Sequence, residues 1–198
     1  MHLGARPRVH RHGVDISSIF IDSARLRAKE LSVEDKVRFV HGDASGYVAR
    51  EPVGLAACVG ATWIGGGVAG TVELLRRSLG PGGIMLVGEP YWRKEPPDRE
   101  TVEGASGIAR DEWMVGLGNL LGSFGELGLD VVEMVLADED SWDRYAAAQW
   151  LNIRRWLDAN PGDELYGEMR AQLTAAPARH ARYRREYLGW GVFALMDR

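Results

Sequence analysis

Residues 55–63, LAACVGATW, and residues 84–92, IMLVGEPYW, are two apolar runs. Between them lie a helical pattern over residues 68–79 and the punctuation Gly80-Pro81-Gly82-Gly83. The first run stays apolar until Thr62, the pattern of a strand covered on both faces and hence of a parallel sheet. Strand, helix and strand in that order make a βαβ unit. The alternation extends upstream. HGVDI (12–16) reads as a short strand ending in an acid, with Ser17 and Ser18 as N-cap candidates. IFIDSARLRAKEL (19–31) reads as a helix with Phe20, Ala24, Ala28 and Leu31 on one face. VRFVHGDA (37–44) is a further strand, again ending in an acid. Downstream, RKEPPDRE (93–100) reads as a charged loop, residues 111–127 as a helix and DVVEMVLAD (130–138) as a strand. Residues 140–188 carry helical signals only, with breaks expected near Asn160-Pro161-Gly162 and at Pro177, before the strand GWGVFALMD (189–197). The expected fold is a doubly wound α/β sheet with an α-helical insertion over about 140–188, before the last strand.

Composition narrows the function. The chain has 198 residues, a length that suits one domain. Its 24 basic and 28 acidic residues leave a net charge of −4, which argues against a nucleic-acid partner. A single cysteine, Cys58, excludes an internal disulfide and a cysteine-rich zinc site. No apolar run is long enough to span a membrane, and no secretory signal is seen, so a soluble cytoplasmic protein is expected. The first twelve residues, MHLGARPRVHRH, hold three arginines, three histidines and no acid. They read as a disordered basic arm ahead of a domain over 13–198, and no metal site is expected from His2, His10 and His12. Glycine is abundant, at 25 residues, and clusters between strand-like and helix-like runs, where nucleoside-binding loops sit.

In an open parallel sheet, ligands bind beyond the carboxyl ends of the strands. The residues there are Asp15, Asp43, 60–63 and 89–92. An acid at a strand end can accept hydrogen bonds from both hydroxyls of a ribose. A second acid one strand over can accept from the exocyclic amine of adenine. Each is equally the residue expected to form a turn or cap a helix. Gly65, Gly67 and Gly70 match G-x-G-x-x-G, and Glu89 ends the next strand, which outlines a dinucleotide site and an NAD-dependent oxidoreductase. Four residues separate those glycines from the strand, and that reading leaves Asp15 and Asp43 unexplained.

The segments GVDIS, VRFVHGDA, LAACVGATW and LRRSLGPGGIMLVGEPYW resemble successive motifs of the class I S-adenosylmethionine-dependent methyltransferases, in the small bacterial branch of unassigned substrate. The resemblance covers the chain from about Gly13 to its end. It implies a Rossmann-like sheet whose last strand runs antiparallel beside the fifth, with S-adenosyl-L-methionine as cofactor. Asp15 would hold the ribose hydroxyls, with Ile16 packing on the adenine. Asp43 would meet the adenine amine and the Ala44 amide the ring, while Cys58, Gly60 and Ala61 would line the methionine arm. The family's D-x-G-x-G-x-G loop, expected upstream of GVDIS, is absent. An N-terminally truncated sheet lacking its first strand is therefore expected, in a chain of impaired activity. A non-catalytic remnant or binding module is the competing reading.

Methyl transfer is an in-line displacement for which positioning supplies much of the rate. If a base is needed, Glu89 and Tyr91 are the candidates; otherwise Glu89 caps a loop or pairs with Arg93. His180, in an arginine-rich run, reads as part of a solvated basic face. A small-molecule acceptor is expected near Trp63, Tyr91 and Trp92, with the helical insertion as a lid.

Overall fold

A computed structural model describes residues 11–107 and 114–198. By contact the chain divides into two compact units, Met1–Glu51 and Pro52–Arg198. In the first, strands β1 (Arg11–Asp15) and β2 (Val37–His41) pair in parallel, with Gly13 opposite Phe39 and Asp15 opposite His41. Helix α1 (Ser18–Glu30) crosses between them, and its cap is the expected one: the Ser17 hydroxyl accepts from the Phe20 amide. Ile21 and Ala28, one helical stripe, are the residues of α1 that are buried. The face expected from the sequence is rotated from this one, since Phe20 and Leu31 are exposed. The basic arm expected over residues 1–12 also needs correction, because Arg11 and His12 already belong to β1 and pair with Val37 and Arg38. Residues 1–10, the rest of that arm, lie outside the described residues.

The second unit holds a four-stranded sheet in the order β3-β4-β6-β5. β3 (Val53–Val59) runs parallel to β4 (Leu79–Trp92), while β6 (Leu188–Asp197) lies antiparallel between β4 and β5 (Leu129–Leu136). The antiparallel last strand beside the fifth is therefore present. Helices α2 (Val68–Arg76) and α4 (Leu117–Glu126) supply Val72, Leu75, Leu120 and Phe124 to a core completed by Met85, Val87, Leu129, Phe193 and Leu195. Phe124 and Phe193 meet with ring centroids 5.4 Å apart, tilted by 52°.

Several expected boundaries shift. The Gly80-Pro81-Gly82-Gly83 turn is instead part of β4: Val53 pairs with Leu79 but Leu55 with Ile84, so the extra residues form a bulge in which Gly82 takes φ +70°. β3 is not covered on both faces, because Leu55 and Val59 are each 52% exposed. The helix expected over residues 111–127 begins at Leu117, and residues 111–113 of that span lie outside the described residues. A helix the sequence reading missed, α3 (Arg99–Ser106), starts inside the charged loop. Asp98 caps it by accepting from the Thr101 amide at 2.8 Å.

The helical insertion comprises α5 (Glu139–Ala159) and α6 (Tyr166–Arg179), then a π turn (His180–Arg184) and a single turn (Arg185–Tyr187). The break at Asn160-Pro161-Gly162 is present. Pro177 does not break α6; it sits in its last turn, and the backbone widens into the π turn just beyond. Trp142, Tyr183 and Tyr187 of the insertion pack against a second cluster made by Trp92, Val102, Ala105, Met114 and Leu188.

Candidate active site

Parallel pairing of β1 and β2 brings Asp15, Ile16, Asp43 and Ala44 to one edge, the carboxyl end of both strands. Asp15 Oδ1 accepts from the Ser17 amide at 2.7 Å, and its carbonyl accepts from Gly42 at 2.9 Å. The His41 ring bonds the Ile16 carbonyl at 2.9 Å, tying the two strand ends together. Asp43 accepts from the Ser45 amide at 2.8 Å and the Ser45 hydroxyl at 2.7 Å; the bond from the amide leads in holding its carboxyl below the usual range. Both acids thus form side-chain turns, and both keep acceptor capacity, since an ionised carboxylate takes up to about four hydrogen bonds. Ile16, 65% exposed, offers apolar surface beside them. A cavity of about 520 Å³ in this unit lies at the other end of the strands, by Arg11, Lys36 and Arg38, and is not the edge that carries the acids.

In the second unit, β3 delivers Cys58, Gly60 and Ala61 to its own carboxyl end. Burial pushes the Cys58 thiol up, so it is no nucleophile near neutral pH. Gly60 takes φ +73°, and a Cβ there would meet the Trp190 ring at 3.1 Å. The chain then enters a 3₁₀ turn, Thr62–Gly65. Gly65 and Gly70 touch backbone to backbone, and a side chain on Gly70 would overlap the Gly65 carbonyl. These glycines therefore permit a tight crossing into α2 instead of cradling a pyrophosphate, which corrects the dinucleotide reading.

Glu89 is buried, and the Thr62 hydroxyl donates to its Oε1 at 2.5 Å. The Thr71 hydroxyl in turn donates to the Thr62 carbonyl at 2.7 Å. The partner of Glu89 is Thr62, not Arg93, whose guanidinium reaches the Ala137 carbonyl and Glu139. Desolvation raises the Glu89 carboxyl above its ordinary value, with the Thr62 bond partly opposing. A raised folded value means that the folded state holds the proton more tightly. Its contribution to stability is complete below the unfolded value of 4.5 and is lost as the pH rises through the folded one. Urea unfolding at pH 4.5 and pH 8 should therefore show Glu89→Gln gaining on the parent as the pH rises. Parallel pH profiles would show that Glu89 is not so perturbed.

Tyr91 is buried with its ring against Gly189, and desolvation raises its phenol. Trp92, expected at the acceptor, is 5% exposed and anchors the second apolar cluster, so its main contacts are packing contacts. Trp63 is 71% exposed on the 3₁₀ turn. Glu89 and Thr62 are thus brought together, whereas Trp63 and Trp92 lie in opposite environments.

One polar pair was missed. His180, read as a solvated basic residue, is 5% exposed, and its Nε2 lies 2.7 Å from Asp143 on α5. The signal was present as the stripe Leu173, Ala176, His180, Tyr183, Tyr187 at helical spacing, obscured by the arginines between. Among the described residues no group of three or more His, Cys, Asp or Glu could hold a metal ion, and no helix is long and apolar enough to cross a membrane.

The fold matches a known class. A crystal structure of an S-adenosylmethionine-dependent methyltransferase from Geobacter sulfurreducens, in complex with S-adenosyl-L-homocysteine, is 63% identical to this chain. It superposes with a TM-score of 0.90 over 94% of this chain and 75% of its own. The corresponding enzyme from Thiobacillus denitrificans, also in complex with S-adenosyl-L-homocysteine, is 56% identical, with a TM-score of 0.91 over 96% of this chain and 76% of that one. The chain belongs to the S-adenosylmethionine-dependent methyltransferase family. Among curated proteins it is 56% identical over 186 residues to the uncharacterized protein YjhP of Escherichia coli strain K12, covering 94% of this chain and 75% of that protein. No protein-family model matches it.

Proposed function

We propose that this protein transfers a methyl group from S-adenosyl-L-methionine to a small-molecule acceptor. The observation that carries the reading is the 63% identity to a methyltransferase that binds S-adenosyl-L-homocysteine. The cofactor supplies an electrophilic methyl on a sulfonium. The protein's task is to bind, align and accept a proton where the acceptor must lose one.

The roles follow the family resemblance. Asp15 accepts from the ribose hydroxyls, in a rotamer already fixed by the Ser17 amide. Asp43, held ionised by Ser45, accepts from the adenine amine, while Ile16 and the Ala44 amide meet the ring. Cys58, Gly60 and Ala61 line the methionine arm. Glu89, with its raised carboxyl, is the group suited to take a proton near neutral pH. Tyr91 and Trp92 form the wall behind it, and α5 and α6 serve as the lid over the acceptor. The net charge of −4 favours a compact acceptor over a nucleic acid, and a cytoplasmic site of action goes with an intracellular methyl donor.

Calorimetry with S-adenosyl-L-homocysteine tests the reading, and saturable one-to-one binding is expected. No binding would overturn it in favour of a non-catalytic member. Trp63→Ala, at an exposed position, should leave stability within about 0.5 kcal/mol while lowering acceptor turnover in a tritiated-methyl assay. Unchanged turnover would remove Trp63 from the acceptor site.

A further inference from the structure

The helical insertion contains a polar cavity that none of the roles above uses. It measures about 60 Å³ and lies between α5 and the junction of α6 with the π turn. Gln149 and Trp150 of α5 face Gln172, Arg179, His180 and Arg184 across it. One water needs roughly 10–15 Å³ on this measure, so a group of a few heavy atoms fits.

Three observations concern its charge. Arg184 is half-buried, and its one hydrogen bond among the described residues is from Nε to the Ala105 carbonyl at 3.0 Å. Neither Arg179 nor Arg184 forms an ion pair among the described residues; their neighbour Arg185 takes Glu139 and Asp143 instead. Burial lowers the Arg184 guanidinium and the positive charge of Arg179 lowers it further, with Tyr145 opposing, so two like charges line one cavity with no ion pair to either among the described residues.

The third observation is His180. Its Nε2 is committed to the Asp143 carboxylate, and the carboxyl is held below its usual range chiefly by that bond. Its Nδ1 is buried with no hydrogen-bond partner among the described residues. A buried polar nitrogen without a partner is unfavourable, so such atoms mark places where a ligand or water completes the site. The π turn that carries His180 is also a geometry found frequently at functional sites.

We infer that this cavity binds a compact oxyanion group, a carboxylate or a phosphate, between Arg179 and Arg184, with Gln149 and Gln172 donating beside them. Because the cavity lies within α5 and α6, the lid assigned above to the acceptor, the anionic group is assigned to the methyl acceptor, which rests on the function proposed above and narrows it to acidic small molecules. The Asp143 carboxylate accepts from Nε2–H and so leaves Nδ1 as an acceptor, placed for an O–H or N–H donor of the same ligand or for a water.

Two measurements on the full chain separate the site from the acceptor. In the first, sodium acetate and inorganic phosphate are titrated at constant ionic strength, with acetamide as the uncharged control, and read by calorimetry and thermal unfolding. Saturable binding of one or both anions is expected, with none of acetamide. Arg179→Gln should weaken that binding by about tenfold or more, because it removes one charged donor from an exposed position that does not hold the fold. Arg154→Gln, at an exposed pair with Asp158, should leave it unchanged. Absence of saturable binding, or equal binding by Arg179→Gln, overturns the site.

In the second, a small-metabolite extract is split by anion exchange, and each fraction is incubated with the protein and tritiated S-adenosyl-L-methionine. Label is expected in the anion-retained fraction and should fall in Arg179→Gln. Label in the unretained fraction overturns the acidic acceptor while leaving the anion site standing. Label in neither overturns methyl transfer to a small molecule by this chain, and the titration then decides the site alone.

Discussion

Replacing Phe193 by alanine will cost this protein about 3–5 kcal/mol of stability, the scale for deleting a fully enclosed aromatic side chain. The ring has no solvent exposure and sits on an inner strand of the four-stranded sheet. Phe124 of α4 packs across it with centroids 5.4 Å apart, so the deletion also removes an aromatic pair. The neighbourhood is poorly placed to collapse into the gap, because Met85, Val87 and Leu195, on the same sheet, hold their positions by ladder hydrogen bonds. Urea unfolding monitored by circular dichroism measures the loss. A loss under about 1 kcal/mol would mean that this core rearranges freely, against the packing described.

Asp15→Ala will weaken S-adenosyl-L-homocysteine binding by about 1.5–3 kcal/mol, the scale for hydrogen bonds to a charged group. That corresponds to roughly 10–150-fold in Kd. The effect has two sources. The alanine removes the acceptor proposed for the ribose hydroxyls, and it also removes the acceptor of the Ser17 amide that orients the start of α1. Asp15→Asn keeps the second function through its side-chain carbonyl and loses the charge, so it should fall between the parent and the alanine variant. Calorimetry on the three proteins gives the order. If Asp15→Ala binds as tightly as the parent, Asp15 is a turn former only.

The alternation of strands and helices was legible because period and punctuation agreed in each segment. Ser17 read as a cap and is one; DVVEMVLAD and GWGVFALMD read as a strand pair and are antiparallel neighbours. Three failures share a physical origin, which is that a local signal carries no information about its tertiary partner. Gly80-Pro81-Gly82-Gly83 has turn chemistry, yet pairing with β3 holds it in a bulged strand. LAACVGATW is apolar throughout, yet its Leu55 and Val59 remain half-exposed. His180 sits among arginines, yet Asp143, on the helix before, draws it inside. At the candidate site the sequence located positions, not roles. Strand-end acids could be located from sequence, and the structure puts Asp15 and Asp43 at one edge. That Glu89 is bonded by Thr62 follows from the path of a 3₁₀ turn, and that Trp92 is buried follows from α3, a helix hidden inside a charged loop.

The position of β6 bears on how the protein is made. Its residues follow both β4 and β5 in the chain, yet it is the strand that joins them, with Leu195 opposite both Met85 and Val131. A nascent chain that has emerged as far as α6 therefore carries β4 and β5 with no ladder between them. The strand that must wait includes Val131, Val132, Met134 and Val135, an apolar edge of the kind that pairs with other chains. Closing the sheet means threading one strand between two others across the whole helical insertion, a long-range step that is slow because loop closure precedes any gain in contacts. During synthesis this protein passes through an interval in which its incomplete sheet presents unpaired edges open to pairing with other chains.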